Sequence, residues 1–182
     1  MTRILDFLFA FFGLLILFPI LIIVTIIGYF DTGSPVFIQT RMGKNKKPFT
    51  LIKFRTMGVD TKSVASHLAS SASITPFGHF LRKTKLDELP QLINVIQGQM
   101  SLVGPRPNLM NQLDLIEVRD AHGVYDVLPG ITGLSQVNNI DMSTPELLAK
   151  TDKTMIDNMK LTTYFELILK TVTGKGSGDT IK

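Results

Sequence analysis

From Phe7 to Phe30 the chain runs 24 residues without a charged side chain. A helix of that length can cross a hydrocarbon core of about 30 Å. The run is too long for a cleaved secretory signal, and no small-residue cleavage site follows it. Pro19 stands near its middle, where the ring removes a backbone donor and clashes with the preceding turn. In lipid the freed groups need partners, so a central proline implies a kinked span or a helix that turns back. Arg3 precedes the run, and Arg41, Lys44, Lys46 and Lys47 follow it. Basic flanks favour the cytoplasmic side, and a re-entrant helix satisfies both ends at once. The plain alternative is a bitopic span that tolerates its proline.

Composition divides the chain at the same place. The first thirty residues hold 23 hydrophobic residues, including six of the twelve Phe, and the rest has the make-up of an ordinary globular domain. Arg3 and Asp6 cancel, so the net charge of +4 belongs entirely to residues 31–182. These proportions exclude a disordered chain and a multi-spanning membrane protein. The expected division is a membrane helix over 1–30, a cytoplasmic domain over 31–173, large enough to bury a core, and a flexible tail over 174–182. Cysteine is absent, which excludes a disulfide framework, a thiolate nucleophile and Cys-based metal sites. His67, His79 and His122 are scattered without metal-ligand spacing. A basic domain beside a lipid-seeking helix fits membrane lipids or a phosphorylated substrate. With no Trp and no visible recognition module, nucleic acid is not an expected partner.

Local patterns predict a mainly helical α+β domain. Val36–Thr40 and Phe49–Met57 read as strands of a short hairpin across a basic loop. Residues 58–75 read as a mobile polar loop. Helices are predicted over Pro76–Arg82, from Thr84 to about Gln97, and from Asn108 as cap to about Ala121. Met100–Pro107 reads as a rigid loop, and Pro129–Gly133 as a tight turn before a strand at Leu134–Val137. Ser143-Thr144-Pro145-Glu146 is a helix start. The helices after it carry Met155, Ile156, Met159, Tyr164, Phe165, Ile168, Leu169 and Val172 on apolar positions, with lysines between them. That pattern suits packing on the core or lying at a membrane interface.

Chemistry concentrates at Arg82-Lys83-Thr84-Lys85-Leu86-Asp87-Glu88-Leu89-Pro90-Gln91. A purely structural use is available here: Thr84 as an N-cap, with Asp87 three residues on, fits a capping box. The functional reading rests on the surrounding charge. Adjacent carboxylates on a helix diverge by about 100°, so Asp87 and Glu88 would have separate roles. Three cations just upstream make phosphate welcome, and a carboxylate among them stays ionised as a nucleophile or a Mg²⁺ ligand. Arg106, between Pro105 and Pro107, offers a fixed fork for phosphate oxygens. Lys53 and Arg55 alternate along a strand and share one face. Each of these cations also suits a solvated surface.

Four blocks occur in order: Lys53-Phe54-Arg55-Thr56-Met57, Leu86-Asp87-Glu88-Leu89-Pro90-Gln91, Ser101-Leu102-Val103-Gly104-Pro105-Arg106-Pro107 and Pro129-Gly130-Ile131-Thr132-Gly133-Leu134. Together they resemble the bacterial sugar transferase family, the monotopic phosphoglycosyl transferases that begin polysaccharide and glycoconjugate assembly. The resemblance runs from the membrane segment to about Val172. It implies a re-entrant helix that breaks at Pro19 and an enzyme on the cytoplasmic face of the bacterial inner membrane. The implied reaction moves a sugar 1-phosphate from a UDP-sugar to undecaprenyl phosphate and releases UMP. By the same resemblance Asp87 attacks phosphorus and contacts Mg²⁺, Glu88 assists, and Lys53, Arg82 and Arg106 hold phosphate or nucleotide. The chain departs from the family pattern at Phe18, where a Ser is usual before the proline, and at Met155 and Lys160, where Tyr and Ser are common. The rival from another class is a non-catalytic bitopic membrane protein whose basic domain binds lipid headgroups or a partner.

Overall fold

The computed structural model describes residues 2–61 and 73–174. Helix α1 spans Thr2–Thr32 and is followed by a hairpin of β1 (Val36–Met42) and β2 (Pro48–Phe54). Then come α2 (Pro76–Thr84), α3 (Gln91–Ile96), β3 (Ser101–Val103), α4 (Leu113–Ala121) and β4 (Gly130–Thr132). A short α5 (Leu134–Val137), α6 (Pro145–Asp157) and α7 (Leu161–Val172) complete the order. The architecture is α+β and mainly helical, as predicted, with an antiparallel hairpin and a second, parallel pair of strands. The predicted loop over 58–75 lies largely outside the described residues, as does most of the predicted tail.

Helix α1 is the only described helix long and apolar enough to cross a membrane, and its most apolar 18-residue window has a mean hydropathy of 3.1. It remains one helix through Pro19, without dividing in two at the expected break. Its burial comes in two patches at i, i+4 spacing, Asp6 with Ala10 and Val24 with Gly28. Between them Leu15, Ile16 and Phe18 are exposed. Both patches rest on the same domain. Ala10 packs with Phe49, Leu51, Leu92, Val95 and Met100, while Val24 packs with Phe54 and Leu81. Polar contacts fix the first turns: Arg3 donates to the Val95 carbonyl at 2.6 Å, and Asp6 accepts from Ser101 Oγ, the Leu102 amide and Tyr164 Oη. At the other end Thr75 Oγ1 donates to Asp31 Oδ2 at 2.7 Å. A straight crossing would leave Arg3 on the far side of the bilayer from the domain. In the structure both ends of α1 are instead bonded to the same domain.

The hairpin pairs Val36 with Phe54 through Met42 with Pro48. Strand period two turns Phe49, Leu51 and Lys53 inward together. Helix α3 is latched onto this hairpin by the fully buried Asn94, whose Oδ1 accepts from the Ile52 amide and whose Nδ2 donates to the Thr50 carbonyl. On the opposite flank Val103, Val137, Met155, Tyr164 and Leu167 form a third apolar cluster. Met155, where the family resemblance leads one to expect Tyr, is therefore a core residue.

Several local expectations are corrected. The helix predicted from Thr84 to Gln97 does not exist as one element: α2 ends at Thr84, and a separate 3₁₀ turn precedes α3. Thr84 is no N-cap; its hydroxyl donates backwards to the Phe80 carbonyl at 2.8 Å. The capping-box reading of Asp87 falls with it. The loop predicted at 100–107 begins as strand β3, and the strand predicted at Leu134–Val137 is the helical turn α5. The cause is the parallel β3–β4 pairing, Ser101 with Gly130 and Val103 with Thr132, which no local pattern encodes. Asn108 does not cap α4. It is buried, with Oδ1 accepting from Arg119 and Tyr125.

Candidate active site

The acidic pair sits on the sharpest bend of the domain. Lys85 closes α2 in the left-handed region, at φ 58° and ψ 16°, and its amide bonds to the Arg82 carbonyl. Residues Leu86–Glu88 then make a single 3₁₀ turn. Two leucines fix that turn from opposite sides. Leu86 packs into the cluster of Val24, Phe54 and Leu81, and Leu89 into that of Leu51, Leu92 and Val95. Between these anchors Asp87 is held inward and only 5% exposed. Glu88 faces elsewhere and pairs with Arg106, Oε1 to Nη2, at 3.1 Å. The two carboxylates therefore occupy different surroundings, as their adjacency on one turn requires.

The cations converge from remote parts of the chain. Lys53 (9% exposed) and Arg106 line one narrow cleft together with Arg41, Gln91 and Pro107. Arg41 was expected as a basic flank of the membrane segment. It is buried instead, and its Nη1 donates to the Pro107 carbonyl at 3.1 Å. Lys53 and Arg55 both lie over the ring of Phe37, at 5.5 and 5.4 Å from its centroid, so they do share a face. Arg82 is not among the residues lining that cleft. It stands in the last turn of α2, where its Nε donates to Thr56 Oγ1 at 2.9 Å. Helix α2 can lie that close because residue 78 is glycine: a Cβ there would come within 2.1 Å of the Thr56 carbonyl oxygen.

Arg106 owes its place to a network that sequence reading did not find. Its carbonyl accepts from Arg119 Nη1 at 2.7 Å. Arg119 Nη2 pairs with Asp152 Oδ2 at 2.7 Å, and both side chains are essentially inaccessible. Ser135 Oγ completes the set by donating to Asp152 Oδ1. Burial pushes the Asp152 carboxyl up, against the opposing pull of Arg119 and the Ser135 hydroxyl. Burial likewise raises the Tyr125 phenol, which is bonded to Asn108 in the same network. Nothing in the spacing of Arg119, Ser135 and Asp152 marks them. The only available signal was that an Arg and an Asp occur within otherwise amphipathic helices.

On the other side of Glu88 the surface opens into an apolar cavity of about 300 Å³. Leu89, Leu102, Ile131 and Ile168 wall it, with Glu88 and Lys85 at its polar end. Burial lowers the Lys85 ammonium, Glu88 offsets part of that effect, and Arg106 adds to it. Ile131 belongs to both the cavity and the cationic cleft, so the Glu88–Arg106 pair stands where the two meet.

No group of three or more His, Cys, Asp or Glu side chains converges among the described residues. Such a donor set does not make a closed cage for a transition metal. It does fit Mg²⁺, which is commonly held by one or two carboxylates together with substrate phosphates. Asp87, with Glu88 beside it, is the available carboxylate.

Comparison with known proteins agrees with this geometry. The model of the bacterial sugar transferase family matches residues 1–175. An uncharacterized sugar transferase of Bacillus subtilis, EpsL, is 42% identical over 141 residues, covering 77% of this chain and 69% of the relative. The UDP-galactose-lipid carrier transferase of Erwinia amylovora is 34% identical over 174 residues, covering 86% of this chain. The UDP-glucose:undecaprenyl-phosphate glucose-1-phosphate transferase of Xanthomonas campestris pv. campestris is 37% identical over 148 residues, covering 78% of this chain. The chain spans only 36% and 31% of the length of the last two. With a match over nearly its whole length, and with the four sequence blocks gathered around one acidic turn, the chain belongs to the bacterial sugar transferase family.

Proposed function

We propose that the chain is a phosphoglycosyl transferase that moves a sugar 1-phosphate from a UDP-sugar to undecaprenyl phosphate. The observation that carries this reading is Asp87, buried on a 3₁₀ turn whose next residue, Glu88, pairs with Arg106 of a cleft also lined by Lys53 and Arg41. The names of the Erwinia and Xanthomonas relatives support the donor and acceptor classes. Cations belong in such a cleft because phosphoryl transfer needs positioning and charge neutralisation more than elaborate acid–base groups.

In the first step an Asp87 carboxylate oxygen attacks the sugar-linked phosphorus of the donor. The bond from that phosphorus to the bridging oxygen breaks, and UMP leaves with the electron pair. The product is a phosphosugar–aspartyl intermediate. In the second step a phosphate oxygen of the polyprenyl acceptor attacks the same phosphorus, expels the Asp87 carboxylate and leaves a sugar diphospholipid. Lys53, Arg41 and Arg106 neutralise the diphosphate, Glu88 fixes the Arg106 fork, and Arg82 binds at the preceding turn. Asp87 and the donor phosphates would hold Mg²⁺, which when bound would supply charge neutralisation at the diphosphate. The apolar helix α1, with both ends on the domain, supports a monotopic attachment that keeps the site at the lipid interface, on the cytoplasmic face of the inner membrane.

The test is UMP release from a panel of UDP-sugars with undecaprenyl phosphate and Mg²⁺. Without acceptor, the wild type should release one equivalent of UMP per enzyme and stop. Asp87→Asn should lower turnover by at least about a thousandfold, and EDTA should abolish it. Silence with every donor, or full activity in Asp87→Asn, would sink the reading.

A further inference from the structure

We propose that the apolar cavity beside Glu88 is the seat of the acceptor, taking the first isoprene units of the polyprenyl chain while Lys85 binds its phosphate. This inference rests on the function proposed above and names the subsite where that reaction's second substrate sits.

Three observations carry it. The first is the partition of the site. Its two openings differ in chemistry: one is a narrow cleft with Lys53, Arg41 and Arg106, and the other is a roomy cavity with almost wholly apolar walls. The cations at the first suit phosphate oxygens, and the apolar walls of the second suit a hydrocarbon. The two meet at the Glu88–Arg106 pair and share Ile131, so phosphates bound at both ends would come together on the turn that carries Asp87 and Glu88.

The second is the placement of Lys85. Its backbone is held in the left-handed region, an unusual conformation for a residue with a side chain, which fixes where that side chain leaves the turn. The ammonium reaches across the cavity to within 3.4 Å of the Thr171 carbonyl of α7. It is thus a cation at the inner end of an apolar pocket, two residues from the proposed nucleophile. A headgroup phosphate attached to a hydrocarbon has the complementary pattern of charge and apolar surface.

The third is continuity with the membrane-facing surface. Helix α7 forms one wall through Ile168, Thr171 and Val172. Its Phe165, Leu169 and Val172 are 45%, 64% and 78% exposed, an apolar strip that runs on to α1 where Phe165 meets Phe9 edge to face. A chain leaving the cavity past Val172 therefore passes directly onto the surface that α1 presents to lipid. A soluble substrate would have no use for that exit.

The experiment separates this subsite from the reaction itself. Steady-state kinetics of Lys85→Met should show the KM for undecaprenyl phosphate raised about tenfold, as expected for loss of one charge-assisted contact. The KM for the UDP-sugar should move by less than about twofold by the same reasoning, and Lys85→Arg should restore most of the acceptor affinity. A second arm needs no turnover. The chain has no Trp, so Val172→Trp places a single fluorophore at the cavity rim. Farnesyl phosphate in detergent should shift its emission to the blue, whereas inorganic phosphate should not. Adding Lys85→Met should weaken that response about tenfold. The subsite is overturned if Lys85→Met changes both KM values equally, or if farnesol shifts the emission as effectively as farnesyl phosphate does. If the wild type releases no UMP while farnesyl phosphate still binds as described, the reaction fails and the subsite stands.

Discussion

Asp87, the proposed nucleophile, is kept in place without being caged. Its neighbours Leu86 and Leu89 enter two different apolar clusters, so the turn cannot roll without uncovering one of them. Uncovering either of these partly buried leucines costs about 1 kcal/mol. A similar logic holds Arg106 one layer further out. The fully buried Arg119–Asp152 pair spends its hydrogen bonds on the Arg106 carbonyl, Asn108 and Ser135. A buried ion pair is weak evidence of net stabilisation, but removing one member leaves an uncompensated charge. Asp152→Ala is therefore expected to lower unfolding stability by about 3–5 kcal/mol. Denaturant titration in detergent measures this. Asp152→Asn, which keeps the shape and a hydrogen-bond acceptor, should cost less.

At the scale of elements, the glycine-bearing blocks explain a contact between segments distant in sequence. Strands β3 and β4 pack so closely that a Cβ at Gly130 would fall 2.0 Å from the Gly104 amide nitrogen. Gly130→Ala must separate the strands and shift the loop that carries Arg106. A loss of about 3 kcal/mol or more in unfolding stability is expected, with a matching fall in UMP release. The hairpin is more tolerant at its tip, where Asn45 and Lys46 already take the left-handed region. Between hairpin and α3, Asn94 acts as a polar latch: it satisfies backbone groups of β2 that would otherwise be buried unpaired. Asn94→Leu keeps the volume and removes the latch, so a melting temperature several degrees lower is expected from the loss of about 2 kcal/mol.

For the whole molecule the decisive relation is between α1 and the domain. A 31-residue helix is about 46 Å long, more than enough to cross a bilayer. Yet Asp6 near one end and Asp31 near the other are both bonded to the same domain. Its outer face is apolar and exposed, and the proposed monotopic attachment buries that face in lipid with both termini on one side. Since the chain has no cysteine, single cysteines report this cleanly. A cysteine added before Met1 and one at Lys150→Cys should label alike: both protected from an impermeant maleimide in intact cells, both reactive after permeabilisation. Labelling of only the N-terminal cysteine in intact cells would contradict the monotopic arrangement.

Much of this was legible in the sequence, because it depends on neighbours along the chain. The uncharged run of 24 residues announces a long apolar helix, alternation announces the hairpin, and Asp87-Glu88 among cations announces the turn to which Arg106 comes. What failed locally failed for one reason. Thr84 with Asp87 satisfies the capping rule, but the rule is blind to Leu86 and Leu89 being drawn into separate clusters, which forces the chain into a tight turn. Residues 134–137 look like a strand until β4 claims the pairing position just before them. Only the tertiary structure moved Arg41 from a membrane flank to the cleft, 66 residues in sequence from its partner Pro107. Only it placed Lys85 in the wall of an apolar cavity and joined Arg119 to Arg106. Those relations are set by packing between remote segments, where burial and close backbone approach outweigh any local preference. Sequence alone therefore determined the apolar helix and the acidic pair among cations; folding decided which charges meet that pair and which cleft and cavity open beside its turn.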